Sequence, residues 1–289
     1  MEYRTLANGL KMPLLGFGVF QVDDLKQCEQ AIKDAIKVGY RLLDTAMTYH
    51  NESAVGKAVR ESGVPRSEFF VTTKAWISDM GEERTQAAFN QSLAELGLDY
   101  IDLYLLHMPL GDYYGAWRAL EQLYREGKVK AIGVSNFTAA QLIDLKYNCE
   151  IVPMVNQIEH HPHYQRVPEV ELMQEMGIQV EAWAPFAEGM HGMFTEPVLE
   201  RIAAKHLKTV AQVILRWNLE AGIVVIPKSV RPERMAENFA VFDFALDDED
   251  KKLIATLDKH KASMLDLSLP SEVHRLYSYL ENPVVTSLS

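Results

Sequence analysis

Cysteine is scarce in this 289-residue chain. The two present, Cys28 and Cys149, lie far apart with no Cys-x-x-Cys spacing, which excludes a disulfide framework and a zinc ribbon. An excess of basic residues is also missing. Lys and Arg number 29 against 40 Asp and Glu, a net charge of −11, so neither nucleic acid nor an anionic membrane meets the basic face it needs. No apolar run approaches the roughly 18 residues of a membrane span. The opening MEYRTLANGL has an acid at Glu2 and a polar turn in place of a signal-peptide core, and MPLLGFGVF is short, carries Pro13 and leads to no small-residue cleavage site. A dinucleotide fingerprint is absent too: after Gly16-Phe17-Gly18 the third glycine would fall at position 21, which is Gln21. Together these absences point to a soluble, reduced, cytoplasmic protein with no nucleic-acid or membrane partner, and they disfavour a Rossmann dehydrogenase.

What is present is a globular composition, 48% hydrophobic and 24% charged, that excludes a disordered chain. The segment YRTL-ANG-LKMP reads as a hairpin, because Asn8-Gly9 supplies the positive φ of a tight turn. Eight strand candidates follow: 14–18, 40–44, 69–74, 100–107, 130–136, 153–157, 178–183 and 222–228. Amphipathic stretches of helical period lie between them. LKQCEQAIKDAIKVG (25–39), for example, sets Leu25, Cys28, Ile32, Ala35 and Ile36 on one face. TQAAFNQSLAELG, AWRALEQLYREG, AAQLIDLKY and VPEVELMQEMG repeat the device, and two helices, VLERIAAKHL and TVAQVILRWNLEAG, separate the last two strands. Eight near-continuously apolar strands alternating with helices predict an α/β fold, a (β/α)8 barrel of the TIM type in one domain over 1–289, with an N-terminal hairpin and a C-terminal capping loop. A doubly wound open sheet is the competing architecture. Beyond about residue 246 a helical DDEDKKLIATLD precedes a tail without evident period.

In such barrels chemistry sits at the carboxyl ends of the strands. Those ends carry Asp44 followed by Tyr49, then Lys74, His107, Ser135-Asn136, Gln157, Trp183 and Lys228. A buried Lys74 needs a partner, and Asp44 on the neighbouring strand supplies it. A cation beside a phenol favours phenolate, so Tyr49 next to Lys74 becomes a stronger acid. With His107 on the following strand, the group can bind a carbonyl oxygen and protonate it.

The chain resembles the aldo-keto reductase family over nearly its whole length. The matching segments are LLDTAMTYHNE (42–52), VTTKAW (71–76), LYLLHMP (103–109), GKVKAIGVSNF (127–137), VNQIEHHP (155–162), EAWAPF (181–186) and VIPKSVRPERMAEN (225–238). Within the family it is most similar to the bacterial diketogluconate and methylglyoxal reductases. The resemblance implies NADPH-dependent reduction of aldehydes and ketones. Tyr49 would be the general acid, Lys74 would tune it, Asp44 would orient Lys74, and His107 would position the carbonyl. Ser135, Asn136 and Gln157 match residues that hydrogen-bond the nicotinamide carboxamide, and Trp183 matches the aromatic that stacks on the ring. Lys228, Ser229 and Arg234 match contacts to the adenosine 2′-phosphate, and Glu237 and Asn238 match contacts near the adenine, hence NADPH ahead of NADH. Phe20, Trp76 and Met108 would line the substrate side; Phe20 and Met108 stand where many relatives have Trp. The family expectation is a monomer acting on a small-molecule carbonyl substrate. Small aldehydes, α-ketoaldehydes and keto-sugars fit equally, and the tail reads Leu267-Ser268-Leu269-Pro270, a departure from many bacterial relatives.

Two other functions compete. His160, His161 and His163 are dense enough for a transition metal, which would make a metal-dependent barrel hydrolase. Against it, the first strand end is Gly-Phe-Gly in place of a His pair, so no metal is expected. A non-catalytic, cofactor-binding regulatory protein is the third reading, which the intact Asp44, Tyr49, Lys74 and His107 set speaks against.

Overall fold

In the computed structural model, which describes residues 1–281, the Asn8-Gly9 turn joins antiparallel strands β1 (Tyr3–Thr5) and β2 (Lys11–Pro13). Gly9 takes φ 87°, and Asn8 Oδ1 accepts the Leu10 N–H at 3.1 Å, as an Asx turn should. Eight strands follow: β3 (Gly16–Gly18), β4 (Leu42–Asp44), β5 (Phe70–Ala75), β6 (Ile101–Leu106), β7 (Val129–Ser135), β8 (Val155–Glu159), β9 (Gln179–Trp183) and β10 (Val224–Val225). Each falls within or directly overlaps one of the eight expected segments. All neighbours pair in parallel in the order β10-β9-β8-β7-β6-β5-β4-β3. A parallel bridge between Leu15 and Val225 joins the two ends, helped by Val225 N–H to Leu14 O at 3.0 Å and Gly18 N–H to Pro227 O at 3.2 Å. The sheet is therefore wound into the expected barrel. The hairpin rests at its amino end, where Asn8 Nδ2 donates to Lys130 O at 2.9 Å beside the start of β7.

Helices α1 (Leu25–Val38), α2 (Glu52–Glu61), α3 (Glu82–Leu96), α4 (Tyr113–Arg125), α5 (Ala139–Tyr147), α6 (Val167–Glu175), α7 (Pro197–His206), α8 (Val210–Glu220) and α9 (Pro232–Phe239) surround it. Side-chain oxygens of Asp24, Thr138 and Thr209 cap α1, α5 and α8, satisfying backbone N–H groups that a helix start leaves free. Periodicity did not reveal α2 or α9. The buried face of α2 is built from small residues, Ala54, Gly56 and Ala58 with Val55 and Val59, so no large apolar side chain marks it in the sequence. Gly56 is required there, since a Cβ would lie 1.7 Å from Leu96 O of α3. The barrel strands are buried along almost their whole length on both faces, as a helix-covered parallel sheet demands.

After α10 (Asp248–Ala255) the chain crosses the carboxyl end of the barrel and forms α11 (Pro270–Glu281). The tail thus caps the barrel, but its second half is a helix and not a loop. Its apolar positions, Val273, Leu276, Tyr277 and Leu280, do follow helical spacing. That period is hidden in the sequence by the irregular residues 258–269 before it. Leu276 is buried against Ile77 and Met108, which fixes α11 over the barrel mouth.

Candidate active site

Asp44 ends β4, and Lys74 lies one strand over, near the end of β5. Both are buried, and Lys74 Nζ donates to Asp44 Oδ1 at 2.6 Å and to the Thr45 carbonyl at 2.9 Å. Removing an ammonium from water would depress its pKa. The charge of Asp44 beside it outweighs that burial and leaves Lys74 raised, hence charged. Tyr49 sits on the 3-10 turn Met47–Tyr49 just after β4, with Lys74 Nζ 5.2 Å from its ring centre. His107, directly after β6, faces it with ring centres 5.8 Å apart. Burial, then the Lys74 charge, push the His107 imidazole well below its ordinary pKa, so the ring is neutral. Its Nδ1 is buried without a partner, which leaves Nε2 for a ligand.

The expectation that Lys74 makes Tyr49 a stronger acid is met only in sign of influence. Burial is the larger effect and raises the phenol above its ordinary value, while Lys74 pulls it down and Asp44 pushes it up. Tyr49 therefore keeps its proton in this state.

These groups form the floor of a cavity of about 1400 Å³. Asp44, Tyr49 and His107 line it, and Lys74 lies beneath. Ser135, Asn136, Gln157 and Trp183 line one wall. Trp183 Nε1 donates to Asn136 Oδ1 at 2.9 Å, and Asn136 Nδ2 donates to His107 O at 3.1 Å, so these three are linked directly. Asn136 adopts φ 63°, a left-handed conformation that Asn tolerates. Further along, Lys228, Ser229, Arg234, Glu237 and Asn238 line the same cavity, with Arg231 among them. Among the described residues Lys228, Arg231 and Arg234 have no ion-pair partner, and they gather at the start of α9. Phe20, Trp76 and Met108 line it too, Phe20 and Trp76 packing against the rings of Tyr49 and His107 at 5.0 Å each and Met108 Sδ accepting from Asn136 Nδ2 at 3.5 Å. Fifteen of the sixteen residues assigned from the sequence to catalysis, cofactor and substrate thus line one cavity, and Lys74 lies beneath its floor.

The three histidines do not converge. His160 bonds Asn218 at 2.7 Å and stacks on Trp217, whereas His161 bonds Glu159 at 3.0 Å and His163 lies 3.6 Å from Glu196. No cluster of three or more metal-ligating side chains occurs among the described residues. No helix there is long and apolar enough to cross a membrane.

Several residues of the site escaped sequence reasoning. Glu181, fully buried inside the barrel on β9, accepts from Gln157 Nε2 at 2.9 Å. Burial and the Asp44 charge push its carboxyl up to about 8. The signal was there: a lone acid in the apolar strand QVEAW, two residues before Trp183 and on the same inward face. Glu159, ending β8, accepts the backbone N–H groups of Ser263, Met264 and Leu265 at 2.7, 3.4 and 3.2 Å. It ties the tail to the cavity rim. Arg275, Leu276 and Tyr279 of α11 enter the mouth, Arg275 held by Glu272 at 2.6 Å and by the Tyr279 hydroxyl at 2.7 Å.

Residues 14–259 match the model of the aldo/keto reductase family. The chain is 49% identical over 255 residues to glyoxal reductase of Bacillus subtilis, covering 88% of this chain and 92% of that protein. To methylglyoxal reductase DkgA of Escherichia coli it is 44% identical over 259 residues, 89% of this chain and 93% of the other. Among solved structures, a Bombyx mori aldo-keto reductase in complex with NADP superposes with a TM-score of 0.88 at 35% identity, covering 92% of this chain and 95% of that one.

Proposed function

The chain belongs to the aldo/keto reductase family, and on that premise we propose that it reduces small aldehydes and ketones to alcohols with NADPH. The observation that carries this reading is the paired Lys74–Asp44 charge set beneath Tyr49 and His107 at the floor of a single large cavity. The cavity suits a nicotinamide cofactor. Its wall offers amide and hydroxyl groups at Ser135, Asn136 and Gln157 for a carboxamide and the Trp183 indole for stacking. The unpaired Lys228, Arg231 and Arg234 suit a 2′-phosphate, which favours NADPH over NADH. Glu237 and Asn238, which line the same cavity, would meet the adenine. When bound, the cofactor would supply the hydride that reduces the carbonyl carbon.

The protein's own groups account for the rest. Neutral His107 donates from Nε2 to the carbonyl oxygen and orients it toward Tyr49. Tyr49, which burial keeps protonated, gives its proton as negative charge grows on that oxygen. Lys74 then stabilises the resulting phenolate, because a fixed cation acts strongly in a site shielded from water. Asp44 holds the Lys74 ammonium in place. Phe20, Trp76 and Met108 shape the substrate side, and α11 closes it. The glyoxal and methylglyoxal reductases among the relatives make α-ketoaldehydes the first substrates to try. The same reading takes residues 1–289 as one barrel domain.

NADPH consumption by the purified protein against methylglyoxal, an aromatic aldehyde, a pentose and a diketo sugar acid, with NADH in parallel, tests the proposal. Turnover with NADPH well above NADH is the expected result. Absence of turnover on every compound, together with no binding of NADPH, would overturn it.

A further inference from the structure

One buried acid at the centre of the site has no part in that chemistry. Glu181 is the register partner of Gln157 across β8 and β9, and it is wholly shielded from solvent. Gln157 Nε2 lies 2.8 Å from Asp44 Oδ2 and 2.9 Å from Glu181 Oε2. An amide nitrogen carries two hydrogens, and both are spent on these carboxyl oxygens. The reverse orientation would set the amide oxygen against the Asp44 carboxylate with no hydrogen between them. Gln157 lines the cavity, so only its carbonyl oxygen is left for a ligand.

We propose that Glu181 is a positioning residue: it locks the Gln157 amide with its oxygen toward the cavity and so selects a ligand that donates hydrogen there, the carboxamide NH2 of the nicotinamide. This rests on the cofactor reading above. Asp44 excludes the reversed amide but cannot by itself fix the amide plane. It already binds Lys74 through Oδ1, and a single bond from Oδ2 leaves the whole amide free to turn about its Cγ–Cδ bond until Glu181 supplies the second point of attachment. A neutral acid accepts through its carbonyl oxygen as a carboxylate does, so the lock does not depend on the charge of Glu181. The other oxygen, Oε1, is buried with no partner, so no competing bond turns the carboxyl away from Gln157.

Isothermal titration of the full chain with NADPH and with 2′,5′-ADP, which lacks the nicotinamide, separates positioning from a general structural role. Glu181→Leu should weaken NADPH about tenfold, the value of one well-placed buried hydrogen bond, and leave 2′,5′-ADP within about twofold. Glu181→Gln, whose side-chain oxygen can still accept, should restore most of the lost NADPH affinity. A second readout is hydride stereospecificity with NADPH deuterated on one face of the ring, which should leak in Glu181→Leu and not in Glu181→Gln. Wild-type affinity for NADPH in Glu181→Leu, or equal loss of both probes in both variants, would overturn the proposal. No NADPH binding by the wild-type protein would instead overturn the cofactor reading on which it stands.

Discussion

Replacing Glu181 by Gln should make the protein's stability respond differently to pH, by an amount that follows from the barrel interior. The carboxyl is fully buried and faces Asp44, Lys74, Tyr49 and Gln157. Burial first, then the Asp44 charge, raise its pKa from an ordinary 4.5 to about 8. For an acid the sign is then fixed. Between those values the folded protein holds a proton that the unfolded chain has released, so raising the pH favours unfolding. The stabilisation from the neutral acid is complete below about 4.5 and is lost progressively until about 8. At about 1.36 kcal/mol per pH unit, wild-type stability should fall by about 2–3 kcal/mol between pH 5 and pH 7 from this group alone. Gln cannot ionise, and every other titrating group is common to both proteins. Urea unfolding of both at pH 5, 6, 7, 8 and 9 would therefore show the Gln variant gaining on wild type by about 2–3 kcal/mol from pH 5 to pH 7, with little further gain above pH 8. A difference between the two that stays constant across this range would refute the reasoning and mean that Glu181 is ionised in the folded protein.

Arg234→Ala should weaken NADPH about tenfold or more by removing a charge-assisted contact to the 2′-phosphate, with NADH nearly unchanged in the same titration; equal weakening of both would refute the assignment. Asp44→Asn leaves the ammonium of Lys74 buried without its carboxylate and should cost about 3–5 kcal/mol in urea unfolding. Leu276→Ala removes the residue that seats α11 against Ile77 and Met108, a contact of about 2–5 kcal/mol. It should raise amide exchange in α11 and the KM for the carbonyl, while NADPH affinity stays put; unchanged exchange would show that α11 is held by other contacts.

The barrel was legible because its signals are local and repeated. Each strand is an apolar run between turn residues, and most helices carry a broad apolar face. The exceptions share a cause. The face of α2 is made of Ala, Gly and Val, and α9 buries mainly Met235 and Asn238, so both are mostly polar helices with few large apolar residues to mark them in the sequence. The polar residues at the strand ends stood out because each interrupts an apolar strand. Glu181 does the same, yet its role depends on which neighbour it meets across β8 and β9, and register is a tertiary property. The Glu159 tether is similarly hidden, since it binds backbone N–H groups more than a hundred residues away. The direction of the Tyr49 pKa shift was missed because pairwise charge was weighed without burial, which here is the larger influence.

Tyr49→Phe isolates the central claim, that this protein reduces carbonyls with Tyr49 as the proton donor. The most direct measurement is single-turnover oxidation of NADPH by methylglyoxal in wild type and in this variant, alongside NADPH titration of both. The account predicts turnover in wild type, a loss of about 10²- to 10⁴-fold in the variant, and equal NADPH affinity in the two. Turnover in Tyr49→Phe close to the wild-type rate would contradict it.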